Sequence, residues 1–121
     1  MFFKKKDSHI NIYEAHADER LYDLLWVERD RLMAKTREVI TRKAVIDLYL
    51  DGPDRSAAIK ECEAAKHSLL CAIGSYDTSC MEYNDYIKQN AERFNSPRRL
   101  WTTTSHDIIA IAYENYFKNR G

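Results

Sequence analysis

Glu63, His67 and Cys71 fall at i, i+4 and i+8 in this 121-residue chain. On a helix that spacing sets all three on one stripe, the way helices present ligands to zinc or iron. The stripe lacks a fourth donor, which would have to be borrowed from His106, His9 or His16, and Cys62 points to the opposite side of the helix from Cys71. A solvated helix face therefore stands ahead of a metal centre, and no cofactor is expected. A second pair, Arg99 and His106, joins a guanidinium that can hold a phosphate to an imidazole that can exchange protons near neutral pH. A third set is aromatic. Tyr76, Tyr83, Tyr86, Tyr113 and Tyr116 offer large rigid contact area with a polar tip, the profile of residues at binding interfaces.

The Arg99 to His106 interval, an arginine, six residues and a histidine, is similar to the RxxxxxxH-type motif of helical HEPN ribonucleases at those two positions. The resemblance implies an RNA-cleaving activity in which Arg99 holds the phosphate and His106 does acid/base work, usually across a dimer. It covers eight residues of the chain. Between them Thr102-Thr103-Thr104-Ser105 reads as a helix break and cap, which sets the two side chains on different elements.

The elements that must carry these residues are helical. Gly52, Pro53, Gly74, Pro97 and Gly121 are the only glycines and prolines, far too few to turn an all-β chain every 8 to 12 residues or so. Val27, Val39 and Val45 are the only valines, and β-branched residues are the ones that favour a pleated surface. With 45% apolar and 31% charged residues the chain can build one core. The expected fold is all-α, a compact bundle of four or five helices over residues 9–121, preceded by a flexible tail at residues 1–8.

Punctuation divides the bundle. Ala58, Cys62, Ala65, Leu69 and Ile73 recur at spacings of three and four, with Pro53 at a first turn and Gly74 as the expected C-terminal cap. Ser79 and Glu82, in capping-box spacing, open the next helix, which continues through Tyr83, Ile87 and Phe94 to Ser96-Pro97. A last helix follows the Thr102–Ser105 caps. The first 51 residues hold no breaker, and one helix over residues 9–50 would be about 63 Å long. Residues 34–37, which offer the core nothing larger than Ala34, mark where that helix would kink or break.

Charge is even overall, 19 basic against 19 acidic residues, so no global field gathers nucleic acid or an anionic membrane. Locally it is ordered. Glu14, Asp18, Glu19, Asp23 and Glu28 precede Arg29, Arg31, Lys35, Arg37, Arg42 and Lys43, an arrangement that complements a helix dipole and would let two copies pair antiparallel. A helix-turn-helix over residues 54–95 is disfavoured, because residues 51–95 carry five bases and eight acids. No apolar run approaches a membrane span, no secretory leader is evident, and three cysteines without CxxC spacing fit a reducing interior. The expected location is cytoplasmic.

Phosphate loops, nucleophile elbows, HExxH and EF-hand patterns are missing from the sequence. The leading expectation is thus a non-enzymatic protein–protein interaction module of adaptor, inhibitor or immunity type, binding through the tyrosines and the charged face of Arg29, Arg31, Lys35 and Arg37. Self-association is part of that expectation. The alternatives are the HEPN-like ribonuclease and a DNA-associated regulator using the basic segment 29–43.

Overall fold

The computed structural model describes residues 17–94 and 98–120, so the tail assigned to residues 1–8, and His9 and His16, lie outside the described residues. Three α-helices carry the fold among the described residues: α1 (Ala17–Ile46), α2 (Pro53–Gln89) and α3 (Ser105–Arg120), with a 3-10 turn at Ala91–Arg93 and no strand. The all-α expectation holds; four or five helices does not.

The difference lies at Gly74. A glycine ends a helix by taking a left-handed conformation, and Gly74 has no positive φ; only Gly52 does. Beyond Gly74 the core stripe continues at the same spacing through Tyr76, Ser79, Tyr83 and Ile87, all buried. Their burial outweighs the cost of an interior glycine, about 1 kcal/mol. Ser79, expected to cap, lies inside the helix and in the core. Residues 53 to 89 therefore make one rod about 55 Å long.

α1 is likewise unbroken across residues 34–37. Thr36, nearly fully buried, donates its hydroxyl to the Leu32 carbonyl at 2.8 Å, so the polar gap satisfies itself within the helix. Leu25, Leu32 and Val39, seven residues apart and all buried, hold the seam straight through it.

α1 and α2 form an antiparallel hairpin. Arg42 pairs with Glu61 at 2.8 Å near the turn, and Tyr22 meets Tyr83 at 5.8 Å between ring centres near the open end. In that register the large residues of α1 stand level with small residues of α2, Leu32 with Ala72 and Val39 with Ala65. Large against small brings the helices close, and the 3.5-residue repeat of both seams is that of a left-handed coil. The turn is closed by Gly52, whose φ of 148° suits glycine alone, and by Arg55, whose guanidinium donates to the carbonyls of Ile46 at 2.9 Å and Tyr49 at 3.0 Å.

α3 leans chiefly on α1, burying Ile108 and Ala112 completely. Its start is the cap expected from Thr102–Ser105: Thr104 and Asp107 exchange hydrogen bonds, the Asp107 N–H donating to Thr104 Oγ1 at 3.1 Å and the Thr104 N–H to Asp107 Oδ2 at 2.9 Å. The Thr104 backbone N–H, and after it the Thr104 side chain, hold the Asp107 carboxyl below its usual range. One core cluster joins all three helices through Leu25, Leu32, Ala72, Tyr76, Tyr83, Ile87 and Ile108.

Candidate functional site

Two of the three tyrosines of α2 are inside. Tyr76 is fully buried and Tyr83 nearly so, and with Asn84 they lie at i, i+7 and i+8 along one side of the helix. That side clamps the segment leading to α3. The Tyr76 hydroxyl donates to the Thr103 carbonyl at 2.7 Å and accepts from the Trp101 indole N–H at 2.7 Å. Asn84 completes a two-way bond with the Trp101 backbone, accepting from its N–H at 2.7 Å and donating to its carbonyl at 3.0 Å. Tyr83 donates to the Arg99 carbonyl at 3.4 Å. Burial pushes the Tyr76 phenol up to about 12, against the opposing effect of the Trp101 N–H, and raises Tyr83 as well. Both remain donors at neutral pH.

Trp101 extends the clamp into an aromatic corner. Its ring meets Trp26 edge-on at 5.5 Å and Tyr22 at 5.7 Å, and the Arg29 guanidinium lies 5.0 Å from the Trp26 ring centre. Beside it Asp18, Glu19, Tyr22, Asp23, Tyr83 and Arg98 line a cleft of about 390 Å³. The nearly buried Asp18 carboxylate already holds a cation there, Arg98 Nε at 3.2 Å.

Of the tyrosines expected at a contact surface, Tyr76 lies fully in the core and bonds to backbone, and Tyr83, nearly buried, meets only the cleft. Tyr86 is half-buried against Phe94, whereas Tyr113 and Tyr116 stay at the surface of α3. Arg31 sits 3.6 Å from Glu28, Lys35 3.7 Å from Glu38, and Arg29 3.4 Å from Asp30. Of the four basic residues expected on the binding face, Arg37 alone stands in no ion pair among the described residues. Within the segment 29–43 Arg29, Arg31, Lys35 and Arg42 stand in ion pairs, four of its six bases.

Arg99 and His106 are both exposed but are not brought together. Arg99 is held at Tyr83 and Thr103 at Tyr76, two helical turns or about 10 Å apart, and His106 lies further on, in α3. Glu63, His67 and Cys71 line an exposed stripe of α2, with Glu63 paired to Lys66 at 3.2 Å. Among the described residues no three His, Cys, Asp or Glu side chains are placed to hold a metal ion. No helix among them is long and apolar enough to cross a membrane.

The feature that sequence reasoning missed lies at the hairpin tip. Ile40, Lys43, Ala44 and Asp47 of α1 and its turn face Tyr113, Tyr116 and Phe117 of α3 across a groove of about 310 Å³. Its wall is mainly apolar, and Asp47 leads directly into Leu48-Tyr49-Leu50. Leu48 is 80% exposed, Leu50 91% and Phe117 58%, with Tyr49 and Tyr113 partly uncovered beside them. A signal was available: Leu48, Tyr49 and Leu50 run straight into the Asp51-Gly52-Pro53 turn, where no helix face exists to bury them.

The geometry defines a class, an all-helical hairpin braced by a clamped third helix and displaying an apolar tip. Comparison with known proteins adds no family: no family model matches the chain, nor does any curated protein or solved structure.

Proposed function

We propose that the chain is a protein-binding module whose contact surface is the hairpin tip. The observation that carries this is the groove lined by Ile40, Ala44, Tyr113, Tyr116 and Phe117, with the exposed Leu48 and Leu50 following Asp47 of its wall in the chain. Scattered exposed hydrophobics are ordinary, but a cluster of large ones around a concavity is the mark of an interaction site. Tyr113 and Tyr116, two of the tyrosines expected to bind, line this groove, and Lys43 and Asp47 supply a polar rim. The partner this surface suits presents an apolar face of its own.

The test uses Leu48→Ser with Phe117→Ser. Both side chains are more than half exposed, so helicity is unchanged and stability stays within about 0.5 kcal/mol of wild type. Quantitative mass spectrometry of proteins retained by the full chain from its source cells should show a partner lost with the double variant. Equal retention by both forms refutes the tip as the contact surface.

A further inference from the structure

A second surface, on the side of α1 turned away from the core, is left largely uncovered by the described residues; Leu24 alone of it borders α2, across a shallow groove with Cys71, Gly74, Ser75 and Thr78. Leu24, Val27, Arg31, Ala34, Glu38, Thr41 and Val45 succeed one another at intervals of three and four, a heptad stripe parallel to the buried one of Leu25, Leu32 and Val39. Val27 is 61% and Leu24 40% exposed; Arg31, Ala34 and Thr41 are exposed, and Glu38 and Val45 half-buried. A heptad seam on a face that the described residues leave largely uncovered is built for another helix.

We propose that this seam joins two copies of the chain, packed antiparallel about a two-fold axis at Ala34. The charges select the occupant and its direction. With Ala34 opposite Ala34 of the second copy, Arg31 faces Glu38, Val27 faces Thr41 and Leu24 faces Val45. On the flank, Asp30 falls opposite Arg37, which stands in no ion pair among the described residues. By symmetry each pairing occurs twice. A parallel pair would instead set Arg31 against Arg31 and Glu38 against Glu38, and sliding the antiparallel register by a turn unpairs both contacts. Lys35, brought near its own copy, already has Glu38 at 3.7 Å. The intrachain contacts of Arg31 and Asp30 are long, at 3.6 and 3.4 Å; Asp30 is exposed, and the Arg31 guanidinium, with five N–H donors, can reach the second copy's Glu38 while it stays beside the buried Glu28 Oε2. Ala34, which offers the core nothing, is at the axis the small residue that lets two backbones approach. The interface leaves both tips free at opposite ends of the dimer, and it stands independently of the reading of the tip.

Sedimentation equilibrium of the full chain between 1 and 100 μM tests the assignment. The wild type should reach twice the monomer mass. Ala34→Arg should be monomeric with unchanged far-UV circular dichroism, since the position is exposed. Arg31→Glu and Glu38→Arg, each of which creates two like-charge pairs across the axis, should weaken dimerisation about tenfold or more. The combination of the two restores it, a recovery that loss of fold could not produce. A wild type that stays monomeric at 100 μM overturns the proposal without touching the tip. So does a dimer that survives Ala34→Arg, or one whose single reversals are not rescued by the double.

Discussion

Removing one oxygen should loosen the third helix. The Tyr76 hydroxyl bridges α2 to the segment before α3, accepting from Trp101 and donating to the Thr103 carbonyl, each at 2.7 Å. Tyr76→Phe keeps the ring that fills the core and deletes both bonds. Each contributes about 1 kcal/mol net, and Trp101 is only half-buried, so its freed N–H can turn to water rather than remain unpaired. The expected loss is about 2 kcal/mol, or roughly 6–10 °C in thermal midpoint for a domain of this size.

The pH dependence supplies an independent measure. Because burial raises the Tyr76 pKa from its ordinary 10 to about 12, the folded state favours the neutral phenol. A group raised on folding contributes stability that is fully present below its unfolded pKa and is lost as pH rises through the folded one, here between pH 10 and 12. Two pH units correspond to about 2–3 kcal/mol, the same size as the two bonds. Urea unfolding of both forms, at one protein concentration so that any self-association is matched, should show wild type ahead by about 2 kcal/mol at pH 8, the gap closing above pH 10. A difference below about 0.5 kcal/mol at pH 8, or one that stays constant from pH 9 to 12, would refute the clamp as the element that holds α3.

Two further outcomes check the frame around the clamp. Leu32→Ala, at a fully buried position level with Ala72, leaves a void that no small neighbour can fill and should cost about 3 kcal/mol, while Leu70→Ala, 66% exposed, should change chemical unfolding by less than about 0.5 kcal/mol. Thr104→Ala removes the cap of α3 at a cost of about 1 kcal/mol. The Thr104 backbone N–H, the larger cause of the lowered Asp107 carboxyl, survives in the variant, and only the hydroxyl's share goes; that share is present above the ordinary carboxylate pKa and is lost as pH falls through the lowered one, so the gap between variant and wild type in thermal melts should narrow in acid.

Helix content was legible because it depends on what is scarce, glycine, proline and valine. The α2 seam was legible from Ala58 to Leu69 because it depends on spacing alone. Gly74 was misread because a glycine permits a left-handed turn without requiring one. What decides the matter is whether the chain beyond it has a surface to bury, and Tyr76, Ser79 and Tyr83 carry the same spacing forward. The gap at residues 34–37 follows the same logic. Its polar Thr36 is paired to the carbonyl one turn back, a bond that a pattern of apolar residues does not reveal.

The tyrosines show where such reading stops for the site. Residue type says that a tyrosine carries an apolar body and a polar tip, and both uses of that combination, at an interface or at a buried junction, ask for the same residue. The choice between them turned on the return of residues 98–104 along α2, a meeting of Asn84 and Trp101 across 17 positions that no local window contains. Once that segment is clamped, α3 is delivered against the turn end of α1, and its Tyr113 and Phe117 face Ile40 and Ala44 with no other described residue over them. The apolar tip is therefore a consequence of the clamp: Tyr76 and Tyr83, bonded into the core, position the segment that sets Tyr113 and Phe117 at the surface.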